Sequence, residues 1–155
     1  MGYSGAMTKA TIRQAALRDL PAIVALLADD VLGQAREAPG DPCYAEAFAA
    51  IERDPNQFLA VVDDGGEVVG CLQLSFVPGL SLKGMWRGQI ESVRIASSRR
   101  GQGLGHIMIE WAVGECRRRG CGLVQLTMHK SRDDTLRFYQ SLGFVASHEG
   151  LKLTL

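Results

Sequence analysis

The sequence predicts an α+β domain, and three observations carry that prediction. Two β-rich runs, residues 58–62 and 68–77, flank the turn DDGGE, a strong hairpin signal. Apolar residues recur at helical spacing in four other segments. A further β-rich run over 86–95 passes through RRGQGLG straight into one of those helices, which puts a strand–glycine loop–helix–strand unit at the centre of the chain. With 155 residues the chain is long enough for one domain with a real core. Residues 8–155 are expected to form that domain and residues 1–7 a flexible tail.

Residues 8–14 (TKATIRQ) read as a short first strand. Asp19 and Pro21 open an amphipathic helix with Leu20, Ile23, Val24 and Leu27 on its apolar face. REAPGDP, residues 36–42, is dense in breakers and reads as a loop. Residues 43–53 return to helix, with Tyr44, Ala47, Phe48 and Ile51 as the inner stripe. After the hairpin, PGLSLKG is a second loop. Behind the glycines, Leu104, Met108, Trp111, Ala112 and Cys116 define a helical face, and Gly120 ends that helix past three arginines that suit its negative dipole end. Residues 123–129 alternate as a strand. Ser131 and Asp134 form a capping box opening a helix over 131–142, and Gly143 closes it. Residues 144–146 and 151–155 are expected to finish the domain as strands.

Composition excludes several function classes. Seventeen Lys and Arg balance seventeen Asp and Glu, so no global field favours nucleic acid or an anionic membrane. No apolar run approaches the roughly 18 residues that span a bilayer. The N-terminus lacks the apolar core of a secretory signal, so a cytoplasmic location is expected. Four cysteines, at 43, 71, 116 and 121, form no C-x-x-C pair, and His106, His129 and His148 are scattered. Zinc sites need tighter clustering, so no metal is expected and the cysteines read as reduced, packed thiols.

Three glycines at alternate positions (Gly101, Gly103, Gly105) open a helix, where each costs roughly 1 kcal/mol relative to alanine. Bare backbone at a helix N-terminus suits a phosphate or pyrophosphate, although glycines at such a junction also serve plain turns. The P-loop pattern fails, because no Lys-Ser or Lys-Thr follows. The dinucleotide fingerprint fails too, because Met108 stands where its last glycine belongs. What remains is R-x-x-G-x-G at Arg100, Gly103 and Gly105.

SVRIASSRRGQGLGHIMIEWA resembles the strand, pyrophosphate loop and helix of the GNAT superfamily of acetyl-CoA-dependent N-acetyltransferases. LRFYQSLGF, about thirty residues on, looks like that family's penultimate helix and the strand start after it. The resemblance implies a single-domain fold with a central mixed, mostly antiparallel sheet flanked by about four helices. It implies acetyl-CoA as co-substrate and a small-molecule primary amine as acceptor, and it allows a homodimer. Backbone amides of Arg100, Gly101, Gln102, Gly103, Leu104 and Gly105 would then bind the coenzyme's pyrophosphate. Those of Val93, Arg94 and Ile95 would meet the pantetheine and the developing oxyanion. Many members carry Asn-x-x-Ala ahead of the helical tyrosine. Here Arg132 and Thr135 stand there, leaving Arg132 open to the coenzyme's 3′-phosphate, to a substrate group or to plain solvation.

Two residues suit the chemistry. Tyr139 lies where the family often carries an acid for the leaving thiolate, and a phenol with pKa near ~10 is matched to that task. The stripe Thr135, Phe138, Tyr139 and Leu142 equally suits a core role. Glu91 stands in a strand otherwise written QI-SVRI, where a buried carboxylate is expensive without a role and an edge-facing glutamate is the alternative; its position resembles that of the family's general base. Strand parity groups Glu91 with Val93 and Ile95, so a bulge is needed to re-aim it. Asp29, Asp30, Glu37 and Asp41 are candidates to attract a cationic amine. Polyamine, aminoglycoside, aminoalkylphosphonate, amino acid and protein lysine all remain open as acceptors. The competing class is an acyl-CoA-binding sensor or assembly module without turnover.

Overall fold

The computed structural model describes residues 9–30 and 32–155, and in it five strands form one sheet in the order β1-β2-β3-β4-β5. They are β1 (Thr11–Gln14), β2 (Gln57–Asp64), β3 (Glu67–Val77), β4 (Arg87–Ile95) and β5 (Leu123–Leu126). Neighbours from β1 to β4 run antiparallel, whereas β5 runs parallel to β4. The sheet is therefore mixed and mostly antiparallel, as expected. Four helices of nine residues or more flank it: α1 (Leu20–Ala28), α2 (Cys43–Arg53), α3 (Leu104–Arg118) and α4 (Asp133–Ser141). No helix among the described residues is long and apolar enough to cross a membrane. The tail expected over residues 1–7 lies outside the described residues.

Alternation along the strands builds a core on each face. Leu72, Leu74, Phe76 and Ile90 meet Leu104, Met108, Ile109 and Ala112 of α3 and Tyr139 of α4 on one side. Val61, Leu59 and Cys71 meet Ile23 and Leu26 of α1 and Phe48 of α2 on the other. Full burial of one such side chain contributes about 1.5–3 kcal/mol. The β2–β3 turn forms where DDGGE stands, with Gly65 and Gly66 both at positive φ, as a tight hairpin requires.

Asp19 opens α1 differently from a simple cap. Its carboxylate accepts the Ala16 amide at 2.7 Å and two bonds from Arg13 at 2.7 and 2.9 Å, while Arg13 Nε donates to Asp63 at 2.9 Å. That tie holds β1, β2 and the start of α1 together.

β4 carries the feature that shapes the site. Cys71 of β3 lies opposite Arg94 and Gln73 opposite Glu91, so Leu72 faces two residues, Ser92 and Val93. This is a β-bulge, and Ser92 takes a left-handed φ of 54° to make it. The extra residue resets the alternation, so that Ile90, Val93 and Ile95 all pack toward α3 and α4.

Several expected elements differ. β5 stops at Leu126 instead of residue 129, because its last partner on β4 is Ile90, just before the bulge. α4 begins at Asp133 and the Ser131 capping box does not form, since the Ser131 hydroxyl and amide are both taken by His129 Nδ1, at 2.7 and 3.2 Å. Ala47 is exposed, and only Phe48 of the α2 stripe is fully buried. The strands expected over 144–146 and 151–155 are absent. The Phe144 amide bonds back to the Tyr139 carbonyl at 3.1 Å and the Ser147 amide to the Val145 carbonyl at 2.9 Å, which are local turns and not ladder bonds. Residues 151–155 keep their alternating pattern, and among the described residues no strand pairs with them.

Candidate active site

β4 and β5 are paired only from Arg87–Leu123 to Ile90–Leu126, and beyond those residues the two parallel strands part. From Glu91 onward the β5 side of β4 is open, so backbone N–H and C=O groups around Val93, Arg94 and Ile95 face a gap at the carboxyl ends of the strands. An unpaired stretch of extended backbone is a ready partner for an extended amide-bearing ligand.

The glycine loop stands at the end of β4. Gly101 and Gly103 have φ of 77° and 80°, a region L side chains rarely adopt, and nothing lies within 4 Å of where a side chain would begin. Gly103 is the N-cap of α3 and supplies no side-chain cap, and the first helical bond comes from the Ile107 amide. The amides preceding it, including those of Leu104 and Gly105, carry the helix's positive end without an intrahelical acceptor. Leu104 contributes its amide there while its side chain is anchored in the core. Gly105 has a different reason for being bare: an added Cβ would sit 3.3 Å from the Phe138 ring, so this glycine lets α3 and α4 meet. The two arginines also separate. Arg99 is paired with Asp64, whereas Arg100 is exposed and has no ionic partner among the described residues. An open cradle of amides beside a free guanidinium fits a pyrophosphate.

Tyr139 projects from α4 into the α3/α4 core, edge-on to Phe138 and Phe144 at centroid distances of 5.1 and 5.6 Å. Its ring serves packing, while its hydroxyl bonds to no described residue. Burial pushes the phenol up, and the Arg94 and Arg132 guanidiniums pull it part of the way back. Both arginines therefore lie within electrostatic reach of Tyr139.

A cluster that sequence reasoning did not assemble explains why. Asp30, just past α1, pairs with Arg94 at 3.3 Å and with Arg132 at 3.3 Å. Although burial raises it, the Gly33 amide and the two guanidiniums hold the Asp30 carboxyl below its ordinary range. One carboxylate thus serves two cations. Arg94 Nε is buried and has no hydrogen-bond partner, the only such side-chain atom among the described residues. Arg94 was expected to contribute backbone only, and Arg132 lies 102 positions from Asp30, so no local spacing announced the cluster.

Glu91 is exposed, which is the edge-facing alternative and not a buried carboxylate. Paired with Gln73, it faces the α1/α2 side of the sheet, in a polar row where Gln73 and Ser75 both bond Gln57 at 2.9 Å. The bulge does separate it from Val93 and Ile95. Glu91 and Tyr139 therefore stand on opposite faces of the sheet. Of the acidic residues near α1, three are already engaged: Asp30 as above, Glu37 by the Tyr44 hydroxyl at 2.8 Å, and Asp41 by the Cys43 amide at 2.8 Å. They are not a free anionic patch. Among the described residues no group of three His, Cys, Asp or Glu side chains converges to hold a metal ion. All four cysteines are free. Burial pushes the Cys71 thiol up to about 12 and that of Cys116 up to about 11, while Cys43 is exposed.

The chain's similarities agree with this geometry. The profile of the Acetyltransferase (GNAT) family matches residues 20–144. The aminoalkylphosphonate N-acetyltransferase of Salmonella typhimurium is 33% identical over 105 residues, 68% of either chain. The glucosamine 6-phosphate N-acetyltransferase of Trypanosoma brucei brucei is 36% identical over 90 residues, 58% of this chain and 59% of that one. A solved structure from Bacillus halodurans C-125, described as a transcriptional regulator, is 49% identical with a TM-score of 0.91, covering 94% of this chain and 99% of that one. A strand that parts from its neighbour, an amide cradle at a helix start and a family match running from the first turn of α1 to Phe144 lead to one conclusion: the chain belongs to the GNAT family of acetyltransferases.

Proposed function

We propose that this N-acetyltransferase passes the acetyl group of acetyl-CoA directly to the primary amine of a small molecule that also carries an anionic group. The observation that carries the acceptor class is the charge count beside Tyr139: two guanidiniums share the single Asp30 carboxylate, and Arg94 Nε has no acceptor. A substrate phosphonate, phosphate or carboxylate meeting the exposed guanidinium nitrogens of this pair, above all on the half-exposed Arg132, would balance the surplus charge. The same surplus repels polyamines and aminoglycosides, which carry several positive charges. Two relatives are named for amines that bear a phosphonate or a phosphate, which supports the reading.

The amides from Arg100 to Gly105, with the Arg100 side chain, hold the pyrophosphate, and the open edge of β4 at Val93, Arg94 and Ile95 aligns the pantetheine arm. Bound acetyl-CoA supplies the thioester carbon that the amine attacks. Glu91 accepts the proton of the incoming ammonium through water. Tyr139 holds a proton for the departing sulfur, and its raised pKa keeps that proton in place at neutral pH. Arg132 is assigned to the substrate's acidic group and not to the coenzyme's 3′-phosphate, because it shares Asp30 with Arg94.

Thiol release from acetyl-CoA tests the reading. Release that requires both acetyl-CoA and an acid-bearing amine is the expected result. Coenzyme A should raise the melting temperature of the wild type, as a ligand of the native state does, and Gly103→Val should lose that shift. Binding without any amine-dependent release would return the chain to the sensor class.

A further inference from the structure

The last turn of α3 brings two of the four cysteines together. Gly120 stands just past the helix with a φ of 80°. Its amide bonds the Arg117 carbonyl at 3.0 Å, and the Cys121 amide bonds the Cys116 carbonyl at 2.9 Å. These two bonds make a Schellman motif, in which the side chains of the third-last helical residue and of the second residue past the cap meet. Here those residues are Cys116 and Cys121. The bond also bounds their separation. With an N···O distance of 2.9 Å and standard backbone lengths, the two Cα atoms lie at most about 6.8 Å apart, within the span of a disulfide. The thiols interact directly, Cys116 donating a hydrogen bond to Cys121. Cys116 is fully buried against the sheet, where a Cβ on Gly88 would collide with its sulfur, whereas Cys121 is half-buried. Three arginines and a glycine separate the two residues, so no C-x-x-C spacing marks the pair.

We propose that Cys116 and Cys121 are a reversible oxidation site, closing to an intramolecular disulfide when hydrogen peroxide reaches Cys121. The Cys121 thiolate attacks one peroxide oxygen and the O–O bond breaks. The sulfur becomes a sulfenic acid, and the departing hydroxide combines with the proton that Cys121 gave up, as water. The Cys116 sulfur then attacks the sulfenic sulfur, and its proton leaves with the hydroxyl as a second water. Two thiols and one peroxide thus give one disulfide and two waters. The roles follow from exposure, since Cys121 meets solvent and Cys116 is reached through Cys121. Burial raises both thiols, but at Cys121 the bond from Cys116 and the Arg119 guanidinium oppose it, which makes Cys121 the nucleophile of the pair. Closing the disulfide spares Cys116 from the sulfinic acid, for which its packing on Gly88 leaves no room. The amide cradle opens α3 and the dithiol ends it, about 22 Å away along a helix of 15 residues. Oxidation therefore leaves the cradle open, and the inference is independent of the acceptor amine.

Mass spectrometry of the full wild-type chain treated with hydrogen peroxide reads the state of the pair. The intact mass should fall by two hydrogens and return with dithiothreitol. Trypsin cleaves after Arg117, Arg118 and Arg119, so Cys116 and Cys121 end on separate peptides, 101–117 and 120–130. With the remaining thiols blocked before digestion, those two peptides should stay joined until reductant is added. Cys121→Ser, at the half-buried position, should abolish the joined pair and slow oxidation of Cys116 by at least about tenfold. In Cys116→Ala, Cys121 should stop at a sulfenic acid that dimedone traps. Cys43→Ser, which changes the exposed cysteine, should leave the joined peptides unaffected. Wild-type peptides that never join, a link that runs to Cys43 or to a second chain instead, or a Cys116 that oxidises equally fast in Cys121→Ser would each overturn the proposal.

Discussion

Two charge clusters in this molecule use the same residue types in opposite proportions. Around Arg13, one guanidinium meets two carboxylates, Asp19 and Asp63, and its Nε and both terminal nitrogens donate at 2.7–3.2 Å. Around Asp30, one carboxylate meets two guanidiniums, Arg94 and Arg132, at 3.3 Å each, and Arg94 Nε donates to nothing. The first cluster is saturated and ties β1, β2 and α1 into the fold. The second has a surplus of charge and an unused donor beside a buried phenol, at the mouth of a parted pair of strands. A buried polar atom without a partner is costly, so its presence at one place and absence at the other separates the site from the scaffold.

Tyr139, within the field of the unsaturated cluster, gives the largest expected effect. Tyr139→Phe should lower kcat by about 10²–10⁴-fold, as loss of a general acid does, while coenzyme A binding and melting temperature change little. Activity within twofold of wild type would confine Tyr139 to packing.

The saturated cluster should respond in stability instead. Asp19→Ala leaves Arg13 with Asp63 alone and should cost about 3 kcal/mol, or about 6–12 °C in melting temperature for a chain of this size, with kcat unchanged below the transition. Hydrogen bonds from Arg13, against the opposing effect of burial, hold the Asp19 carboxyl down at about 2, below its ordinary 3.8. Its contribution is therefore complete above about pH 4 and is lost as the pH falls toward 2, which acid unfolding of wild type and variant would show. A variant with unchanged stability would mean that the two clusters do not differ as described.

Arg94→Gln comes next and sharpens the contrast, because it removes the unused donor without opening the saturated cluster. Loss of one charge-assisted bond should raise KM for an acid-bearing amine by about 10–100-fold and leave KM for acetyl-CoA nearly unchanged. The guanidinium also holds the Tyr139 phenol below where burial alone would put it. Its removal should move the alkaline limit of kcat to higher pH, since the acid form would then persist further. An unmoved limit, read from kcat against pH, would uncouple Arg94 from Tyr139.

Glu91→Gln is expected to have the smallest effect. An alkyl amine with pKa near ~10 is almost wholly protonated at neutral pH, so the base matters most there, and raising the pH should partly rescue the variant. Parallel pH profiles of kcat/KM for the two proteins would reduce Glu91 to a positioning residue.

Legibility in the sequence followed the range of the forces involved. The hairpin at DDGGE, α2 from Cys43 to Arg53 and the glycine loop at the start of α3 rest on local backbone preferences and periodicity, so they could be read directly. Gly101 and Gly103 announced the amide cradle, whereas Gly105 looked identical but answers to Phe138, a contact across 33 positions that no spacing reveals. The bulge was anticipated from the parity of Glu91, Val93 and Ile95, yet its consequence, an exposed Glu91 on the opposite face from Tyr139, needed the register with β3. The Asp30–Arg94–Arg132 cluster joins three loops or strand ends and was invisible for the same reason. Residues 151–155 read as a strand because their alternation says so, and what they lack is a partner strand among the described residues.

The most direct measurement is the acceptor preference itself. Initial rates of thiol release at saturating acetyl-CoA would compare 2-aminoethylphosphonate with propylamine, in the wild type and in Arg94→Gln. The surplus charge at Arg94 and Arg132 predicts a kcat/KM at least about tenfold higher for the phosphonate in the wild type, with most of that preference lost in the variant. Equal rates for the two amines, or a preference that survives Arg94→Gln, would contradict it.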